Sequence, residues 1–459
     1  MHTSLATIEP INAMAARLSP SPAKVFEIAR AREKSLSRLV IAFITSGLIF
    51  MVFPGTFLGV WNLLQISGSE SVSSISQAWL QAHGHAQVFG WVGSFIMGIG
   101  FYSIPKLRGS ATSHFAAAWT CWTVWTLGVA LRWAANIYLW EWRALGPLSA
   151  VLELAAFAIF CRVVSQHRPD DSGRSRVDPW IWMVITACIG FMAMLVANLV
   201  GCFYVSLRGA TPAFPHLFDQ RYLALTAWGF LVPFVWGFSA KWMQVFLGLK
   251  PLRTKLLLPA IFVNICGLAL TLAGLTLLGA SVLVLGVSIA ISALRMLEPS
   301  DREAKVRGVH SSLPFFTRMA HAWLMVAALL GVAAARWDTS GGIWGASRHA
   351  LTVGFVAVMI LCVGQRVLPA FAGMRVLWST RLMFAGLVLV TLGCTMRVSC
   401  EIIAYQGITE WAWSFLPVSA LCELAGLTIF AINMLGTFIL EPSHAYKQPV
   451  VVGLPVKLS

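Results

Sequence analysis

Long apolar runs alternate with short polar breaks along nearly the whole chain. At 1.5 Å per residue, about 20 apolar residues in an α-helix cross the roughly 30 Å core of a bilayer. The pattern predicts twelve such spans, near 39–64, 80–105, 115–139, 145–165, 180–206, 221–247, 255–275, 277–296, 314–336, 348–370, 381–404 and 412–439. The seventh and eighth run almost together and require a tight turn near Gly274–Gly279. Residues 1–38 read as a tail with a short amphipathic helix around Ala23–Lys34, and 441–459 as a second tail. The expected architecture is therefore all-α: a polytopic membrane domain over 39–440, one bundle of about twelve transmembrane helices, flanked by tails over 1–38 and 441–459. No internal repeat is legible, because the His-Ala openings of the second, ninth and tenth spans are too short to count.

Composition agrees with a lipid environment: 58% of the 459 residues are hydrophobic and only 11% charged, unlike a soluble domain. A net charge of +15 would suit nucleic acid, but its distribution points elsewhere. With the N-terminus inside, 22 of the 33 Lys and Arg fall in inner segments, five in outer loops and six within spans. Cytoplasmic loops of membrane proteins collect basic residues in this way. The bias places both termini in the cytoplasm and makes the lipid bilayer, with no nucleic acid, the expected partner. Residues 1–38 lack the short apolar core of a cleavable signal peptide. The nine cysteines sit almost wholly in apolar runs and form neither CxxC nor CxxCH. That argues against a disulfide scaffold and against covalently attached c-type haem.

Ten histidines are present. Six lie in tails or at loop edges; His83, His85, His321 and His349 fall at span positions. Ionisable groups in a membrane are costly and mark function. His83, His85 and His349 belong near the outer face, whereas His321 enters from the inner side. Residues i and i+2 of a helix stand about 200° apart, so His83 and His85 serve two centres, or one centre and one structural bond. His321 is either a ligand or an interhelical hydrogen bond. Arg132, Arg397 and Glu401 share the depth of the outer histidines. Imidazole suits haem iron and copper, and the guanidinium fork suits carboxylates such as haem propionates. Glu153 and Glu423 are intramembrane carboxylates, either proton relays or buried acids paired with a neighbour. Lys241, Arg295 and Arg366 lie toward the inner side, Arg295 as a topology anchor.

The stretch AWLQAHGHAQVFGWVGSFIMGIGFYSIP (78–105) resembles the histidine motif of the NnrS proteins. WGFSAKWMQVFLG (236–248), MAHAWLMVAALL (319–330) and SRHALTVGFVAVMILCVGQRVL (347–368) follow in the family's order and spacing. The resemblance implies a twelve-span protein of the bacterial inner membrane that binds haem, b-type, and copper. It also implies a role in nitric oxide tolerance or denitrification-linked metabolism. Cofactor ligands would come from His83, His85, His349 and His321, with Arg132 and Arg397 on propionates. Nitric oxide or another small diatomic ligand, and quinol or another membrane electron donor, would be its partners. The chain departs from the family at Ala86, where an acidic residue is frequent, and at Phe371, where a histidine is. The second span is also similar to the histidine helix of haem–copper oxidases and nitric oxide reductases. The chain has neither the adjacent His-His pair nor the His-x-x-x-Tyr motif of those enzymes, which argues against a standard proton-pumping oxidase. A metal-free membrane transporter is the alternative class.

Overall fold

The computed structural model describes residues 22–107, 114–166, 178–373 and 375–440. Among these, twelve long helical passages and no strand are found. They are α1 (Phe26–Ser69), α2 (Gln77–Lys106), α3 (Phe115–Tyr138), α4 (Trp142–Ser165), α5 (Pro179–Arg208), α6 (His216–Phe246), α7 (Thr254–Leu272), α8 (Thr276–Leu294), α9 (Leu313–Trp337), α10 (Gly342–Phe371), α11 (Thr380–Tyr405) and α12 (Trp411–Ile439). Eleven are long and apolar enough to cross a bilayer. The other, α3, has the length but carries Arg132 and Asn136 among its buried residues. The chain is a multi-pass membrane protein.

The twelve spans stand where the hydropathy pattern puts them. The helix expected around Ala23–Lys34 is not a separate element, because helix begins at Pro22 and runs without a break through Phe50 into the first span. Residues 1–21 and 441–459 of the expected tails lie outside the described residues. The tight turn between α7 and α8 forms at Gly274, whose φ of 90° is in the left-handed region that glycine enters without a steric penalty.

The spans close into a ring of three four-helix units. In each unit the last two helices form a hairpin: α3–α4, α7–α8 and α11–α12. The first two also pair, α1 with α2, α5 with α6 and α9 with α10. Units join where α4 meets α5, α8 meets α9, and α12 returns to α1. The second helix of each unit carries a wide π-helical stretch at the same place: Ala86–Gly93 in α2, Leu225–Leu231 in α6 and Ala350–Ala357 in α10.

The matching topology of the units exposes a repeat that linear reading misses. The pattern His-Ala-x3-Gly-(Trp/Phe)-Val-x7-Gly-x4-Pro occupies 85–105 in α2 and 349–369 in α10. Thr-Leu-Gly-x3-Arg-x3-(Asn/Glu)-Ile occupies 126–137 in α3 and 391–402 in α11. Pro-x-Ser-Ala-x2-Glu-Leu-Ala occupies 147–155 in α4 and 417–425 in α12. The absence of a repeat, expected above, is thus corrected: each piece is short, and only the shared topology lines up three pieces at once.

Candidate functional site

The repeat places one histidine, one arginine and one glutamate in each of two clusters at the same end of the bundle. Their backbone supports match. Gly128 lies against Glu153, where an added Cβ would come within 3.0 Å of Cγ, and Gly393 lies against Glu423, at 2.7 Å. Ser149 and Ser419 each donate to the carbonyl three residues back, Gly146 and Leu416, at 2.7 and 2.6 Å. Small residues at these crossings let helices in lipid approach closely and bring the carboxylates inward.

In the α2–α4 cluster, His85 Nε2 contacts Glu153 Oε1 at 2.7 Å. Asn198 of α5 donates to Glu153 Oε2 at 2.9 Å. The His85 ring stacks on Phe89 at 4.1 Å between centroids. Arg132 donates to Cys202 Sγ at 3.1 Å and lies 4.7 Å from the centre of the Phe214 ring. His85, Glu153 and Arg132 are all buried. Tyr222 of α6 is within electrostatic reach of Glu153, Arg132 and Cys202, and its buried hydroxyl has no hydrogen-bond partner.

In the α10–α12 cluster, His349 Nε2 stands 3.5 Å from Glu423 Oε2, beyond a good hydrogen bond. Arg397 donates to Glu401 at 3.2 Å. Arg397 Nε and Nη1, Glu401 Oε2 and Glu423 Oε1 are buried without partners. His83 joins this cluster from α2, with His349, Glu423 and Arg397 all within its electrostatic reach. Its Nδ1 lies 2.9 Å from the Gly55 carbonyl. A carbonyl only accepts, so Nδ1 donates, which in the neutral imidazole puts the lone pair on Nε2. The geometry of α1 makes this possible. Pro54 has no N–H, and the helix widens into π winding over Met51–Phe57. The Pro54 and Gly55 carbonyls of this widened segment accept from Trp133 and His83, the Gly55 carbonyl alongside the Leu58 N–H. One turn on, Gly59 has no side chain, and the His83 ring fills that space, 2.7 Å from where a Cβ would stand.

The six candidate residues therefore divide. The structure brings His83, His349 and Arg397 together and sets His85 with Arg132 in the other cluster. His321 joins neither. It is fully buried, its Nδ1 donates to Thr317 O at 2.9 Å, and its Nε2 has no partner. No group of three or more His, Cys, Asp or Glu side chains converges as a metal site among the described residues. Gly55, Gly59, Cys202 and Tyr222 escaped the sequence reading, whereas Asn198, expected as an interhelical bond, makes one to Glu153. The repeat was the one signal that could have found the glutamate partners.

A ring of twelve apolar helices around buried His–Glu and arginine clusters defines a polytopic helical membrane protein with polar centres inside the bilayer. Its fold is similar to that in a cryo-EM structure of a heme-copper terminal oxidase dimer. That similarity has a TM-score of 0.53 at 10% sequence identity and covers 89% of this chain and 85% of that one. No curated protein matches the sequence. The model of the NnrS protein family matches residues 41–441, and the chain belongs to that family.

Proposed function

We propose that the chain is a haem-binding protein of the bacterial inner membrane, with both termini cytoplasmic, that acts in nitric oxide tolerance or denitrification-linked metabolism. One observation carries the haem reading. In the α10–α12 cluster, His83, its Nδ1 held by the Gly55 carbonyl, lies within electrostatic reach of His349 and of an arginine with two buried, unpartnered donors. An orphaned buried donor costs about 1–3 kcal/mol, so a missing acceptor is the economical explanation. Haem supplies what these residues lack: an iron for imidazole nitrogen and propionates for Arg397. His83 and His349 would hold the iron, with the Gly55 carbonyl fixing the His83 tautomer as outer-shell partners of metal-bound histidines do. The bound group would supply one-electron chemistry and an affinity for a small diatomic ligand, with electrons from quinol or another membrane donor.

Copper, the second metal of the heme-copper oxidase that shares this fold, has one candidate ligand here outside the two clusters. That ligand is His321, whose Nε2 is buried without a partner. The absorbance spectrum of the purified full chain tests the reading. It should show a b-type haem Soret band that His83→Ala and His349→Ala both abolish and that nitric oxide shifts. A colourless protein expressed with haem available would overturn it. Reporter fusions at Ser379 should read cytoplasmic, and those at Gly209 and Ser340 external.

A further inference from the structure

The ring contains a third copy of the cradle, and comparing all three separates the positions that keep the scaffold from those that carry chemistry. In α6 the π stretch again opens four residues before a Gly-aromatic pair, Gly229-Phe230, but the residue in the histidine position is Ala224. In α7, Gly267 takes the place of Gly128 and Gly393; it lies against Leu283 of α8, where the other copies have glutamate, and an added Cβ would be 2.8 Å from Leu283 Cγ. Four residues after that glycine, at the arginine position, stands Thr271, bonded back to Gly267 O at 2.9 Å. The glycines and the π winding recur in all three units. His, Arg and Glu are present in two and replaced by Ala, Thr and Leu in the third.

The two polar cradles are each approached by the second helix of the next unit, through the residue two before the histidine position. His83 approaches the α10–α12 cradle and Tyr222 the α2–α4 cradle. Ser347 stands at that position in α10, bonded to Ala327 O at 2.8 Å. The two polar cradles therefore differ in their approaching residue, imidazole in one and phenol in the other. They differ also in saturation. Glu153 has both oxygens occupied, by His85 and by Asn198. Glu423 has one oxygen orphaned and the other 3.5 Å from its histidine.

We infer that one ancestral cradle has taken three fates: the α10–α12 copy binds the cofactor, the α6–α8 copy is apolar filling, and the α2–α4 copy is a closed polar lock. In the lock His85 is a positioning residue. His83 and His85 leave α2 about 200° apart, so anchoring His85 to Glu153 and Asn198 on one side fixes the rotation that aims His83 at His349 on the other. A chain so built holds one haem, not two.

The spectroscopic arm of the test rests on the haem reading above; the stability arm does not. Purified full-length protein is assayed for haem per chain, for low-spin electron paramagnetic resonance g-values and for reduction potential. The wild type should hold one equivalent. His85→Ala and the gentler Glu153→Gln should retain most of it, with altered g-values and potential, because the His83 ring is turned rather than removed. Tyr222→Phe should leave haem content and g-values unchanged. Two equivalents in the wild type, one of them lost in His85→Ala, would overturn the inference in favour of a second cofactor site. So would haem loss in His85→Ala equal to that in His349→Ala. If the wild type proves haem-free, the Proposed function fails, and thermal unfolding of His85→Ala, Glu153→Ala and the double variant still decides the lock. A double variant no less stable than the worse single supports it, and additive losses overturn it.

Discussion

The α2–α4 and α10–α12 clusters carry the same histidine, arginine and glutamate on the same backbone, yet the glutamate of one is bonded on both oxygens and that of the other is not. His85, Glu153 and Asn198 close a chain of short hydrogen bonds. His349, Glu423, Arg397 and Glu401 leave four buried polar atoms without partners. In a low-dielectric interior a satisfied network rigidifies, and an unsatisfied one is costly. Identical residue types are therefore not equivalent evidence for a binding site. The unmet hydrogen-bonding capacity, more than the presence of histidine or arginine, marks the cluster open to a ligand.

The sharpest way to break this comparison is to remove an imidazole from each side. His83→Ala and His349→Ala should each abolish the low-spin haem signal. His85→Ala should not, and equal loss from all three would erase the distinction. Gly59→Val comes next. Its side chain must occupy the space of the His83 ring, because even a Cβ there stands 2.7 Å from His83 Cε1. The variant should lose the same spectral component as His83→Ala, whereas Gly128→Ala, in the other cluster, should leave it in place. The arginines give a smaller contrast. Arg397→Gln should weaken haem retention about 10- to 100-fold, the scale of outer-shell partners at metal sites, with axial ligation unchanged. Arg132→Gln, which withdraws a donor from Cys202 and a cation from Phe214, should leave retention near wild type in a haem-release assay with apomyoglobin. The smallest effect is expected at His321, outside both clusters. The interhelical bond expected of His321 is not formed, because its one bond, to Thr317 O, lies within α9; as that bond alone, its loss in His321→Ala costs about 1 kcal/mol and spares the haem spectrum, and metal analysis of the same variant reads its copper role.

Periodicity and charge were enough to read the spans, because length and apolarity are local properties that the bilayer imposes on each helix separately. They also showed that His83 and His85 must diverge, since 100° per residue follows from helix geometry alone. Which of the two faces His349 was not legible. That depends on how α2 is rotated against α1 and α12, and Pro54, Gly55 and Gly59 decide it through a widened turn, a carbonyl that accepts from the His83 ring and an empty Cβ position. The repeat was hidden for a related reason. Its three pieces are separated by loops of unequal length, so no single linear register holds, and each piece alone is too short to rise above chance. Only the closed ring, in which α12 returns to α1, sets Glu153 and Glu423 in equivalent places and shows that one is bonded on both oxygens and the other is not.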